Sequence, residues 1–201
     1  MKTLAIDLSS STGSVAVAEN GAITAGKTFA CERGRGAEVF AALAQLRELW
    51  RGADLIAVGI GPGSYNGLRT ACALANSLQM AAGAKLRATP SPCLLAVDYA
   101  HYVAYGDARG GRAYRAEVRD RKICGEISLL SYAEAAARSE KEKASAYRTG
   151  PVPDLERLPE AFPDAGVLAV LAQDLPPLSP AELGPIYLKP PHITLPRPAR
   201  T

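Results

Sequence analysis

Two short polar segments of the sequence carry the residue types that can bind a phosphate group. The first is Asp7 and the loop of hydroxyl residues and glycine after it, which we call the hydroxyl loop: Ser9, Ser10, Ser11, Thr12 and Gly13. An aspartate at the end of a strand can hold a cation-bound water, and the N–H groups of such a loop can face phosphate oxygens. The same residues are common in ordinary turns, and no Lys or Arg lies among them. We therefore expect no tightly bound cofactor, and at most weak binding of ATP or ADP.

The second segment is a glycine turn, residues 61–63, between an apolar run and a helix. The β-branched run over 55–60 predicts a buried strand, and Ser64 is placed to cap a helix that follows. A helix N-terminus attracts anions because its free N–H groups and its dipole point the same way. No Lys-Ser or Lys-Thr pair closes the turn, so it is not a P-loop. A tight strand-to-helix connection explains the glycines equally well.

Residues with the spacing of metal ligands are missing from the sequence. The two histidines, His101 and His192, are far apart, and the four cysteines form no C-x-x-C pair. We therefore expect no bound metal, and reduced thiols in a cytoplasmic protein. No Ser or Cys nucleophile is paired with a His by a known motif, so a peptidase is the least favoured class.

The surrounding pattern predicts two groups of elements that would position these segments. Asn20-Gly21 is a strong type I′ hairpin signal. The first group comprises strands over 3–8, 14–18, 22–29, 55–60 and 85–89, with helices over 37–50, from residue 65 onward, and over 92–99. The second comprises strands over 103–107, 112–119, 122–130 and 144–149, with helices over 131–139 and 165–174. We divide the chain into an N-terminal half, 1–99, and a smaller C-terminal half, 100–201, which ends in a proline-rich tail.

Composition is that of an ordinary globular protein. The 201 residues are 48% hydrophobic and 21% charged, with a net charge of +3, and no apolar run is long enough to span a bilayer, so no membrane association is expected. One basic run could touch RNA phosphates: Arg109, Arg112, Arg115, Arg119, Arg121 and Lys122. Acidic residues interleave with it and aromatics are few, so a solvated sheet face is the favoured interpretation.

Four segments together resemble one bacterial family. GPGSYNGLR is similar to that family's GPGS-aromatic-x-G-[VLI]-R signature, and the matching residues are Gly61, Pro62, Gly63, Ser64, Gly67 and Arg69. AIDLSSSTGSVAV resembles its opening strand, loop and strand; DARGGRAY and PIYLKPP resemble two later segments. On these motifs the chain is identified as a member of the TsaB (YeaZ, glycoprotease-like) family, which helps to make threonylcarbamoyladenosine in tRNA.

The resemblance implies an α/β fold with mixed sheets and flanking helices. The two halves would be those of the actin, sugar-kinase and Hsp70-like ATPase superfamily, which is ribonuclease H-like. It also implies a scaffold without catalytic activity alone, which binds the TsaD transferase, works with the TsaE ATPase, meets tRNA only through the complex and forms a homodimer when alone. The alternative is a nucleotide-dependent phosphotransferase or ATPase of the same superfamily, which would use Asp7 and the hydroxyl loop, with Asp107 from the other half.

Two helices carry a second apolar or small face beside the face expected to contact the sheet. A helix side that faces solvent is normally charged. The helix that begins at residue 65 has no charged residue on that side after Arg69. Small residues let a partner helix approach closely, so we expect these helices to bind the transferase, unless the second half or the tail covers them. The expected contact residues, called the outer helix face below, are Phe40, Ala41, Ala44, Thr70, Ala73, Ser77 and Met80.

Overall fold

The structure is a computed structural model that describes residues 1–31 and 36–189. The first part of the chain forms β1 (Lys2–Asp7), β2 (Thr12–Glu19), β3 (Ala22–Ala30), α1 (Ala37–Gln45), α2 (Arg47–Trp50), β4 (Leu55–Gly59), α3 (Tyr65–Ala82), β5 (Lys85–Thr89) and a 3₁₀ turn (Ser91–Leu94). The second part forms β6 (His101–Asp107), β7 (Arg112–Arg119), β8 (Lys122–Ile123), β9 (Ser128–Ser131), α4 (Tyr132–Ser139), β10 (Ser145–Arg148) and α5 (Ala165–Leu171).

The first sheet has the strand order β3-β2-β1-β4-β5. The first three strands are antiparallel neighbours, while β4 and β5 extend the sheet in parallel. Asn20 and Gly21 form the predicted hairpin turn, with φ values of 51° and 82° that suit a type I′ turn. The predicted strands of this half are confirmed.

Helices cover both faces of the first sheet. On one face, buried residues of α1 and α3 such as Val39, Leu43 and Ala75 pack with Ile6 and Val58 of the sheet. On the other face, α5 packs on a surface of alanines, with Leu168 completely buried. Because α5 follows the second sheet in sequence, the late part of the chain supplies a layer of the first core.

The second sheet has the order β10-β6-β7-β8, and β9 also pairs with β7. Strands β6 and β7 form its antiparallel centre, and α4 packs against β7 and β9. The capping box predicted for α4 is confirmed, since Ser131 Oγ accepts from the N–H of Glu134 and the Glu134 carboxylate accepts from the N–H of Ser131.

Some predicted elements were too long. The helix over 37–50 is interrupted at Leu46, whose φ and ψ of −96° and 8° are not helical. The strand over 122–130 divides around Gly125, which has a φ of 72°. The helix predicted over 92–99 is wrong, because only the 3₁₀ turn forms there and the chain continues extended from Leu95. The helix over 165–174 ends at Leu171.

Several contacts join the two halves directly. The Tyr102 hydroxyl in β6 donates to the Pro92 carbonyl at 2.7 Å, and the guanidinium of Arg121 donates to the Leu95 carbonyl. Further on, the N–H of Leu178 donates to Leu86 O at 3.1 Å, and that of Ile186 to Ile60 O at 2.8 Å. The segment after α5 therefore runs back along the first sheet.

Two sequence features lie outside the described residues: most of the charged loop after Cys31, and the tail from residue 190 onward, which contains His192. Among the helices of the described ranges, none has the length and apolar character that crossing a membrane requires.

Candidate functional site

Asp7, at the end of β1, lies at the centre of a buried hydrogen-bond network. Its Oδ1 accepts from the N–H and the hydroxyl of Ser9, at 2.8 and 2.6 Å, and its Oδ2 accepts from the Ser91 hydroxyl at 2.7 Å. Ser91 Oγ in turn accepts from the Gly61 N–H at 2.9 Å. The network therefore joins the hydroxyl loop, the glycine turn and the 3₁₀ turn.

The Asp7 carboxyl group is shut off from solvent. Its side chain is fully buried, and burial raises the pKa of Asp7 above its ordinary value of 3.8, although the hydrogen bonds from Ser9 and Ser91 act in the opposite direction. A Cβ at Gly59 would lie 1.8 Å from Asp7 Oδ2, so only glycine fits beside it at the end of β4. In this geometry Asp7 connects three chain segments and presents no oxygen to solvent.

The glycine turn packs tightly against the hydroxyl loop. A Cβ at Gly63 would lie 2.0 Å from the Ser9 carbonyl oxygen, and one at Gly67 would lie 2.0 Å from that of Leu8. The Ser64 N–H donates to Ser9 O at 2.7 Å, so one donor that an anion would need is already used. Ser64 also caps α3 as predicted, since its Oγ accepts from the Gly67 N–H at 3.3 Å. These contacts favour the structural interpretation of the signature glycines.

The second half contacts the hydroxyl loop from the other side. A Cβ at Gly150 would lie 3.5 Å from Ser11 Oγ. Nearby, the hydroxyl of buried Tyr114 lies 2.8 Å from Thr149 Oγ1. Burial raises the pKa of Tyr114 above its ordinary value, although the hydrogen bond with Thr149 acts in the opposite direction. The second half therefore lies against the hydroxyl loop, and Asp7 beside it is fully buried.

Asp107, the acidic residue predicted from the second half, supports its own turn. It ends β6, and its Oδ1 accepts from the Arg109 N–H at 2.8 Å and from the Tyr132 hydroxyl at 3.0 Å. Its Oδ2 pairs with the Arg109 guanidinium at 3.0 Å. These bonds are those of a turn-capping aspartate.

Two cavities lie away from the Asp7 network. One, of about 450 Å³, lies at the opposite end of β4 and β5 and is lined by Met1, Asp54 and Lys85 among others. The other, of about 340 Å³, is lined by charged residues of the second half, including Arg115 and Glu142. Arg115 donates to both Glu142 oxygens, at 2.7 and 3.0 Å, so this pair is already satisfied.

The outer helix face is accessible in the structure. Phe40 is 55% exposed and Met80 is 77% exposed, so each presents most of its apolar side chain to solvent. The smaller members of the face, Ala41, Ala44, Ala73 and Ser77, are exposed, while Thr70 is half-buried. The helices α1 and α3 pack on the same sheet face, α1 over β2 and β3 and α3 over β4, β1 and β5, so their outward sides lie on the same side of the molecule.

The basic run does not form one continuous face. Arg115 is nearly buried in its pair with Glu142, and Arg121 donates to the carbonyls of Cys93, Leu95 and Val97. Arg109 and Arg112 remain exposed at the turn between β6 and β7. The solvated sheet face expected for the basic run is therefore wrong at Arg115, which is 9% exposed. Its partner, Glu142, comes from a distant part of the chain and has no sequence signal.

Metal-ligating residues are dispersed in the part of the chain that the structure describes. Residues 1–31 and 36–189 contain no group of three or more His, Cys, Asp or Glu side chains that could hold an ion. His101 instead has its Nε2 3.0 Å from Glu117 Oε1. The four cysteines are free thiols, and burial raises the pKa of Cys72 to about 11 and that of Cys93 to about 12.

The two mixed sheets with flanking helices define an α/β protein of the predicted fold class. The chain belongs to the family whose model is described as TsaD: tRNA N6-adenosine threonylcarbamoyltransferase, which matches residues 38–166, more than half of the chain. A comparison with curated proteins gives no match.

Two solved structures share the fold along nearly the whole chain. One is a protein from Pseudomonas aeruginosa described as similar to the peptidase YEAZ, with 20% identity, a TM-score of 0.76, and coverage of 94% of this chain and 99% of that one. The other is YeaZ from Pseudomonas aeruginosa, with 21% identity, a TM-score of 0.69, and coverage of 93% and 99%. The fold class and the family predicted from the motifs are confirmed.

Proposed function

We propose that this chain is a non-catalytic scaffold that binds a TsaD-like transferase during threonylcarbamoyladenosine modification of tRNA. Membership of the family supports a role in tRNA modification. The enclosure of Asp7, whose two oxygens are taken by Ser9 and Ser91, supports a role other than catalysis. Related proteins have been described as peptidases. In this sequence, however, no known motif pairs a Ser or Cys nucleophile with a His base.

The observation that carries the proposal is the outer helix face. Large apolar side chains exposed beside small ones are typical of surfaces that another protein covers. Phe40 and Met80 can serve as anchors, while Ala73 and Ser77 leave room for a partner helix to pack closely. The partner is a transferase subunit with a complementary helical face.

The family resemblance supports the remaining parts of the assembly. When the transferase is absent, the outer helix faces of two copies can cover each other, and the chain then forms a homodimer. A TsaE-like ATPase is the further partner of the complex, and tRNA reaches the complex through the assembled subunits.

Co-expression with the TsaD-like transferase of the same organism tests the proposal. We expect the two chains to elute together in size-exclusion chromatography at a defined ratio, and the chain alone to sediment as a dimer. Elution of the two proteins at their separate positions, at micromolar concentrations of both, would contradict the scaffold function.

The alternative of a nucleotide-dependent phosphotransferase or ATPase is tested by calorimetry with ATP. We expect weak binding or none, because Asp7 is enclosed and the Ser64 N–H already donates to Ser9 O. A dissociation constant near 1 μM, which corresponds to about 8 kcal/mol, would favour the alternative instead.

A further inference from the structure

Three motif segments that are distant in sequence meet at one surface. Tyr65, the first residue of α3, has its ring centroid 5.0 Å from that of Tyr187, with an angle of 32° between the planes. The guanidinium of Arg69 lies over the Tyr65 ring, 5.4 Å from its centroid. The two tyrosines are 40% and 43% exposed, so the stack lies at the surface.

Cations continue from this stack to the turn between β6 and β7, through the half-buried Lys189 to exposed arginines. Two residues after Tyr187, the Lys189 ammonium donates to the Arg109 carbonyl at 2.8 Å. The Arg109 side chain is 71% exposed, and Arg112 at the start of β7 is also exposed. We call this surface the tyrosine strip, and it consists of Tyr65, Arg69, Tyr187, Lys189, Arg109 and Arg112.

The strip is positively charged after its acidic neighbours are counted. Asp107 pairs with Arg109, and Glu134, which lies near Arg112, is held in the capping box of α4. Against these two carboxylates stand the four cations of the strip. The combination of an exposed aromatic stack with an excess of cations is complementary to a nucleic acid base and the phosphates beside it.

We propose that the tyrosine strip binds an unpaired base of a single-stranded RNA loop together with its flanking phosphates. Unstacked RNA bases gain affinity by stacking on aromatic side chains and on Arg planes, and this does not require a particular sequence. The basic run alone lacked such aromatics; the fold supplies Tyr65 and Tyr187 from two other segments. An acidic protein could pair with the cations, but the aromatic stack would add little to its affinity.

This inference rests on the proposed function, because the family implies an RNA substrate. It goes beyond that function by assigning direct RNA contact to this chain. The two surfaces adjoin on α3, where Arg69 lies one turn before Ala73 on the same side of the helix. The strip is therefore tested at Tyr187 and Arg109, which lie outside α3. Variants at Tyr187 and Arg109 are expected to bind the transferase normally, and Ser77→Arg, two turns beyond Arg69 on α3, is expected to bind RNA normally.

The test measures fluorescence anisotropy of a labelled RNA hairpin with a single-stranded loop, titrated with the full chain at low salt. Tyr187→Leu keeps an apolar side chain but removes the ring, and we expect about tenfold weaker binding. Tyr187→Phe keeps the ring and should bind as the parent protein does. Tyr99→Leu, which removes another exposed tyrosine, 55% exposed and absent from the strip, is the matched control and should also leave affinity unchanged.

A second variant tests the phosphate contacts. Arg109 has a φ of 62°, so Arg109→Asn removes the charge with a residue that tolerates this backbone conformation. We expect the slope of log affinity against log salt to decrease by about 0.7 for one lost contact to a single strand.

Three results would overturn the proposal. They are no measurable binding of the hairpin, equal loss of affinity in Tyr187→Leu and Tyr99→Leu, and equal affinity for a fully paired RNA duplex of the same length. If the strip variants lose RNA but retain the transferase, direct RNA contact is supported. If the transferase does not bind while RNA binding persists, the scaffold proposal fails and this inference stands.

Discussion

At the scale of single residues, Asp7 shows how a side chain suited to catalysis can serve the fold. Its two oxygens accept three hydrogen bonds from Ser9 and Ser91, and these bonds fix three chain segments relative to one another. The sequence predicted the hydroxyl loop but could not show that Ser91, 84 residues away, would supply the third donor. That contact depends on the packing of β4 and β5 beside β1.

The Asp7 network predicts a difference between two substitutions. Asp7→Ala leaves the Ser9 and Ser91 donors buried without an acceptor and should lower the free energy of unfolding by about 2–5 kcal/mol. Asp7→Asn keeps the shape and one acceptor, and should cost much less. Urea unfolding followed by the fluorescence of Trp50, the one tryptophan, measures both. Equal losses would show that the carboxylate charge itself is required.

The raised pKa of Asp7 also predicts a pH dependence. Because burial places the folded pKa above the unfolded value near 3.8, the folded state binds more protons between those two values. The free energy of unfolding therefore falls as pH rises through this window, and this contribution should be missing in Asp7→Asn. Urea unfolding of both proteins at a series of pH values from about 3.5 upward compares the two slopes. Parallel pH profiles would contradict the assignment.

Gly67 tests the interpretation of the glycine turn as a packing device. A Cβ there would meet the Leu8 carbonyl oxygen at 2.0 Å, and a backbone oxygen cannot move away cheaply. Gly67→Ala should therefore destabilise the protein by more than about 2 kcal/mol. Gly26→Ala, whose Cβ would have nearest neighbours at 3.7 and 3.9 Å, is the control and should cost less than about 1 kcal/mol. Comparable small losses in both would leave the glycine signature unexplained by packing.

At the scale of elements, local signals were accurate where a single physical rule dominates. The Asn20-Gly21 turn and the Ser131 capping box formed as predicted, because backbone φ preferences and capping bonds are local. Element length was less predictable. Leu46 fits the helical pattern and is buried in the core, yet the helix is interrupted there, and no local signal in the sequence marks the interruption.

Helix α5 is the element whose position the sequence did not reveal. Its alanines and leucines predicted a helix but not the sheet it covers, since small apolar residues fit either half. Only in the fold do the alanine faces of β1, β2 and β4 appear as its complement. The same holds for the tyrosine strip, whose members come from three segments.

A pair of substitutions in α5 tests its contribution to the first half. Leu168 is fully buried against the first sheet, so Leu168→Ala should lower the free energy of unfolding by about 2–5 kcal/mol. Val170→Ala on the same helix, 40% exposed, should cost less than about 1 kcal/mol. Both losses are read from Trp50 fluorescence, which reports on the first half. An unchanged Trp50 transition in Leu168→Ala would contradict the packing of α5 on that sheet.

At the scale of the whole molecule, the two sheets are held together by backbone and side-chain hydrogen bonds that residues after 99 donate to residues before it. Tyr102 and Arg121 donate to carbonyls of the first half, and the segment after α5 returns along β5 and the glycine turn. One side of this assembly, the outer helix face, is accessible and nearly free of charge. The sequence identified its residues because helical periodicity alone determines which side chains point away from the sheet.

The most direct test of the scaffold proposal is the affinity of the TsaD-like transferase for variants of the outer helix face. Ala73→Arg and Ser77→Arg should fold normally, because both positions are exposed, but each would bury an unpaired charge in the complex. We expect calorimetry to show losses of at least about 2 kcal/mol, roughly 30-fold in affinity. Ala137→Arg, at an exposed position of α4, should bind as the parent protein does. If Ala73→Arg and Ser77→Arg also bind with unchanged affinity, the transferase does not bind this face.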